Sequence, residues 1–221
     1  LKREKSSFLD TFPMEYPTCG VGDYRESCLD VMNPMGQTGC EFFYRSHEVI
    51  EGKPALKGLP ASFGKAGETE TLFIHCEDPV LGLWVTLSYS VFMKEDVITR
   101  SVKIENKSTS TLVLDKVYSA CLDMDNRDFD MVSLAGSWGR ERRIQRSALS
   151  YGRKNMSSVR GESSHQEHPF MALVTPETTQ DQGEAYGMHF VYSGNFMAQA
   201  ELGQYDQVRA VMGINAWQFS W

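Results

Sequence analysis

The chain has 221 residues, 41% of them hydrophobic and 23% charged. That is enough apolar material for one large domain with a packed core, and it excludes a disordered chain. A formal net charge of −7 argues against a general nucleic-acid binder, and no apolar run is long enough to span a membrane as a helix.

The chain opens on Leu1 rather than Met, carries no signal-peptide pattern, and stops at WQFSW; these ends predict a piece of a longer polypeptide. In between, apolar residues recur with a period of two, the signature of half-buried strands. TLFIHC places Leu72, Ile74 and Cys76 on one face. LWVTLSYSVF sets Leu83, Val85, Leu87, Tyr89 and Val91 against Trp84, Thr86, Ser88 and Ser90. VITRSVKIEN groups Ile98, Val102 and Ile104, with Arg100 among them. TLVLDKVYSACL alternates less cleanly, as a strand covered on both faces does. AYGMHFVYSGNFMAQAEL predicts two strands joined near SGN as a hairpin, and QVRAVMGIN a further strand. Turn signals such as NPMGQTG, EGKPALKGLP, ENKSTS and MDNRD punctuate the chain every dozen residues or so. A dozen or more antiparallel strands with no linker and no fixed-period repeat predict an all-β, two-sheet antiparallel sandwich that fills residues 1–221 as a single domain.

Charge is unevenly placed. Residues 138–160 hold Arg140, Arg142, Arg143, Arg146, Arg153, Lys154 and Arg160 against the single acid Glu141, just after the acidic group Asp123, Asp125, Asp128 and Asp130. The acidic group reads as a solvated turn, and the two groups as mutually neutralising loops or separate solvated faces. Five cysteines with no CxxC spacing predict reduced, mostly buried thiols and a cytoplasmic setting, with no metal and no cofactor. His165 and His168 in RGESSHQEHPF have HxxH spacing but no evident third ligand, so the stretch reads as a polar loop entering a strand. Ser163 and Ser164 beside His165 hold the residue types of a nucleophilic relay, but chain neighbours on an extended segment point to opposite faces. His47, His75 and His189 read as ordinary strand residues.

In AGSWGRERR, Trp138 stands between two glycines and ahead of three arginines. An indole can stack on the apolar face of a sugar while Arg140 and Arg142 supply donors at the rim. It can equally plug a sheet edge while the arginines pair with nearby acids. Composition leaves both open.

The stretches GDYR (22–25), RSHEVIEGKPALKGLPASFG (45–64), ETLFIHCEDPVLGLWVTLSYSVF (70–92), VITRSVKIEN (97–106), GSWGRER (136–142), RGESSHQEHPF (160–170), GEAYGMHFVYSGNF (183–196) and GINAWQFSW (213–221), in this order, resemble the N-terminal domain of glycoside hydrolase family 36, the bacterial-type α-galactosidases. The resemblance implies a β-supersandwich of the galactose-mutarotase-like kind, followed in the family by a (β/α)8 barrel and a small C-terminal β domain. It implies a parent enzyme that hydrolyses terminal α-1,6-galactosides such as melibiose, raffinose and stachyose with retention, forms a tetramer, and uses two barrel aspartates as its catalytic pair. No catalytic residue is then expected in this chain. By the same resemblance Trp138 is the substrate contact, Arg140, Glu141 and Arg142 fix its loop, and Arg160, Ser163, Ser164, His165 and Gln166 face the barrel as domain-interface candidates. Lys5 stands near where a family arginine can sit, without a role carried onto it. Ser137 and Gln218 depart from the residues common there. The expected partners are the barrel and α-galactosides, not nucleic acid or membrane. An autonomous galactoside-binding module, or the same domain of an α-N-acetylgalactosaminidase or a raffinose or stachyose synthase, are the competing readings.

Overall fold

A computed structural model describes residues 9–215. Lys5, Gln218 and the last residues of GINAWQFSW lie outside the described residues. A single 3-10 turn (Leu9–Thr11) precedes thirteen strands among the described residues. In chain order these are β1 (Leu29–Met32), β2 (Phe43–Glu51), β3 (Thr69–Asp78), β4 (Leu83–Phe92), β5 (Val97–Asn106), β6 (Val113–Asp125), β7 (Asp130–Ser137), β8 (Arg140–Ala148), β9 (Gly152–Ser158), β10 (Glu167–Val174), β11 (Ala185–His189), β12 (Phe196–Leu202) and β13 (Gln207–Ile214). The architecture is all-β with antiparallel sheets, as the period-two pattern predicts.

The strands form three four-stranded sheets, ordered β1-β6-β13-β12, β11-β10-β7-β8 and β2-β3-β4-β5. The chain divides into two compact units, one made of Leu1–Asp30 with Leu114–Trp221 and the other of Val31–Val113. The boundary falls inside β1 and at the start of β6, so no loop-rich linker marks it in the sequence.

The first unit is a two-sheet sandwich. Met131, Met171 and Leu173 from one sheet meet Phe196, Ala198, Ala200, Val208, Ala210 and Met212 from the other, with Phe129 and Met156 closing the gaps. Alanines on β12 and β13 leave room for methionines opposite them, which is how two sheets of mixed side-chain size reach native density. The SGN stretch departs from expectation. β11 pairs with β10 and β12 with β13, so the two strands belong to different sheets and form no hairpin. The segment between them crosses the sandwich, and its backbone is used elsewhere: Ser193 O accepts from Ser163 N at 2.7 Å and Asn195 O from Asn215 N at 3.3 Å.

The second unit is a meander in which each strand pairs with the next. Val85 and Leu87 are buried on one face of β4. On the other face Thr71 and Ser90 share a hydroxyl hydrogen bond of 2.8 Å, and Thr71 Oγ1 donates to Gly52 O at 2.7 Å. His47 and His75 lie on β2 and β3, as ordinary strand positions.

A set of charges sits inside the first unit. Arg209 on β13 is fully buried. Its Nε and Nη2 reach the two oxygens of Asp123 at 2.8 and 2.7 Å, Nη2 also reaches Asp23 Oδ2 at 2.7 Å, and Nη1 donates to Glu26 O at 2.9 Å. Arg25 clasps Asp23 through Nε and Nη2 at 3.0 Å each and donates to Phe12 O at 2.7 Å. Asp123 is thus a buried partner rather than part of a solvated acidic turn. Its register opposite Arg209, set by the β6–β13 pairing, turns it inward. Asp130 does meet the basic stretch, taking Arg146 Nε at 2.6 Å.

Candidate functional site

Strands β7 and β8 form a hairpin whose turn is Trp138-Gly139. Gly139 has φ +74°, a left-handed conformation that glycine takes without steric cost. The pairing then breaks step. Ser137 faces Arg140 and Ala135 faces Arg143, leaving Gly136 opposite both Glu141 and Arg142. This is a β-bulge, and Arg142 absorbs it at φ +53°. Gly136 makes it possible: a Cβ there would lie 2.1 Å from the Arg140 carbonyl oxygen.

The tip is braced by short-range polar contacts. Gly139 N donates to Glu141 Oε1 at 2.8 Å, and Arg140 Nε donates to Ser137 Oγ at 3.2 Å. The Gly139 N–H holds the Glu141 carboxyl below the usual glutamate range, aided by its own backbone N–H and by the charges of His165 and Arg142. Trp138 itself is 85% exposed. All nine residues of β8 are exposed, Ile144 among them.

The loop that carries the other candidates lies against this hairpin. His165 Nδ1 stands 3.6 Å from Glu141 Oε1, and Gly136 N donates to Gln166 O at 3.0 Å. Arg160 Nη2 donates to Gln166 Oε1 at 2.5 Å, Gln166 N to Ser164 Oγ at 3.2 Å, and Ser163 N to Ser193 O at 2.7 Å. Gly161 N donates to Asn195 Oδ1 at 2.6 Å. The structure therefore brings the tryptophan loop and the 160–166 loop together. Arg142 makes no side-chain hydrogen bond or ion pair among the described residues, but its charge bears on His168. Burial first, then Arg142 and His189, lower the His168 pKa, and the two histidine rings lie 5.4 Å apart. Ser163 bonds through its backbone N–H and Ser164 Oγ accepts from Gln166 N, and neither hydroxyl meets a base among the described residues. Below the tip, Arg146 ties the hairpin to the 175–178 turn, donating to Thr178 O at 2.6 Å and Pro176 O at 2.8 Å.

The model of the glycosyl hydrolase family 36 N-terminal domain matches residues 1–221. This chain belongs to glycoside hydrolase family 36. It is 43% identical over 219 residues to alpha-galactosidase AgaA of Geobacillus stearothermophilus, covering 99% of this chain and 30% of that protein. It is 42% identical over 207 residues to alpha-galactosidase 2 of Hypocrea jecorina, covering 94% of this chain and 28% of that protein. Crystal structures of Geobacillus AgaA variants with raffinose and with stachyose superpose at a TM-score of 0.94 and 44% identity, over 96% of this chain and 30% of theirs. The chain thus spans less than a third of the length of these relatives.

Within the family 36 domain, GSWGRER folds as the hairpin tip and RGESSHQ as the loop beneath it. Sequence reasoning missed the clamp of Arg209, Asp123, Asp23 and Arg25. A signal for it was present: Arg209 interrupts the apolar run of QVRAVMGIN, where a buried charge needs a paired acid.

Proposed function

We propose that this chain is the non-catalytic N-terminal domain of a retaining α-galactosidase, and that Trp138 forms one wall of the sugar site. The observation that carries this reading is an almost fully exposed indole on a tip held by Gly139–Glu141, Glu141–His165 and Gly136–Gln166 contacts. A large ring left in water and held in place is arranged for a partner that arrives later, and a sugar's CH face suits it. The sugar chemistry of the relatives supports the choice of ligand, since AgaA variants have been crystallised with raffinose and stachyose.

Bond cleavage belongs elsewhere on this reading. Retention needs two carboxyl groups about 5 Å apart, one of them able to give a proton. Glu141, the acid of the hairpin tip, is stabilised in its ionised form by the Gly139 N–H, which suits it to fixing the loop rather than to proton donation. The reacting pair is assigned to a barrel that follows this domain, and the exposed face of β8 with the 160–166 loop is the side offered to it.

The test is kinetic. In the full-length enzyme, Trp138→Ala raises KM for raffinose about tenfold, the loss of one stacking contact worth roughly 1–2 kcal/mol. Unchanged kinetics removes Trp138 from the site. If the 221-residue chain alone binds melibiose through Trp138 as tightly as the full-length enzyme does, the domain is an autonomous module instead.

A further inference from the structure

Three tyrosines meet around a cleft of about 510 Å³ in the first unit. Four stretches of chain converge there: the Leu9–Thr11 turn, the GDYR motif, Tyr151-Gly152 at the start of β9, and the turn after β12. Tyr24 is 79% exposed, Tyr151 72% and Tyr205 41%. Single exposed aromatics are common on protein surfaces, but three rings around one concavity are a binding wall. The polar lining is specific as well. Asp10 is only 8% exposed. One of its oxygens accepts from Gln204 Nε2 at 3.2 Å, and the other has no partner among the described residues. A carboxylate on the cleft wall with acceptor capacity to spare gains from a ligand hydroxyl. Glu201 stands on the same wall. Its Oε2 accepts from Glu26 N at 2.9 Å and lies 3.4 Å from Arg153 Nε, while its Oε1 is open among the described residues. The lining is also fixed in advance: Gly203 N donates to Gln207 O at 2.9 Å and Asp206 N to Gly203 O at 3.2 Å, so little ordering is left for binding.

We propose that this cleft binds a neutral oligosaccharide, with Tyr24 and Tyr151 stacking on sugar faces and Asp10, Glu201 and Gln204 accepting its hydroxyls. Charge selects the neutral ligand. Two carboxylates repel phosphates and uronates. Cations gain little, because Arg25 lines the cleft and Arg153 already faces Glu201. Which oligosaccharide it takes rests on the α-galactosidase reading above; the preference for an uncharged, hydroxyl-rich ligand rests on the lining.

The experiment is saturation-transfer NMR with raffinose on the full-length protein, with excess 1-deoxygalactonojirimycin, a compound crystallised with an AgaA variant, occupying a barrel site. Raffinose still binds, and Tyr24→Ala and Tyr151→Ala each weaken that binding about tenfold, whereas Trp138→Ala does not. Both tyrosines are exposed, so neither replacement threatens folding. Three results overturn the proposal: no raffinose signal in the inhibited wild type, a signal indifferent to both tyrosine replacements, or arginine binding the cleft more tightly than raffinose. The α-galactosidase reading fails by a different observation, a full-length protein that leaves raffinose uncleaved. In that event the same titration with other neutral oligosaccharides still decides the cleft.

Discussion

Two arginine-rich regions of the first unit make opposite use of the same side chain. Around β6 and β13, Arg209 and Arg25 are buried and paired with Asp123 and Asp23. On β8, Arg140, Arg142 and Arg143 stand in solvent beside an exposed indole, and Arg140's contact is a single 3.2 Å bond to Ser137 Oγ. The buried set ties the GDYR stretch to the sheet and must stay paired, because an uncompensated charge in that interior is costly. The exposed set is held loosely enough to engage something else. Residue type does not separate the two sets; accessibility does.

The contrast can be broken or sharpened by substitution. The largest effect is expected inside the clamp: Asp123→Ala leaves Arg209 short of its bidentate partner and costs about 3–5 kcal/mol, seen as a lowered urea midpoint. If the midpoint holds, the clamp is not what fixes the fold. Gly136→Ala comes next, since its Cβ would press on the Arg140 carbonyl. A loss of about 1–3 kcal/mol should accompany a KM change in the same direction as that of Trp138→Ala. A stability loss with normal KM would show that the bulge does not aim the indole.

Acid should weaken the clamp. Burial raises the Asp23 pKa, but the Arg25 hydrogen bond and the Arg209 charge more than offset it, and the folded value is lowered. Asp23 therefore contributes stability that is full above the ordinary aspartate pKa of about 4. That contribution is lost as the pH falls through the lower folded value. Urea midpoints measured down that range should fall for the wild type and more shallowly for Asp23→Asn; parallel curves would exclude Asp23 as the source. The smallest effect belongs to the tip, where Trp138→Ala should shift stability by no more than about 0.5 kcal/mol in thermal melts. A larger shift would mean that the ring packs against its own domain.

Much of this was legible from residue order. Period-two alternation marks β4 most clearly, where Leu83, Val85 and Leu87 are buried and Trp84 and Thr86 between them are wetter, and the glycines of AGSWGRERR announce a turn. What escaped were contacts between residues far apart in the chain. SGN looks like a hairpin turn locally, yet its neighbours pair with β10 and β13, a choice made by which strand lies alongside. Asp123 looks solvated beside Asp125 and Asp128, until pairing places Arg209 opposite it. The meeting of Glu141 with His165 is of the same kind: both residues stood out in the sequence, but only the β7–β10 pairing puts their loops side by side.

The bulge opposite Gly136 separates the two-residue tip from the braces below it. Such modularity suits grafting: Trp138-Gly139 can be exchanged for the tip of another family member while Gly136 and Gln166 keep their backbone hydrogen bond, provided the new second residue retains an N–H for Glu141. The tip could then be varied from one family member to the next without rebuilding the scaffold that carries it.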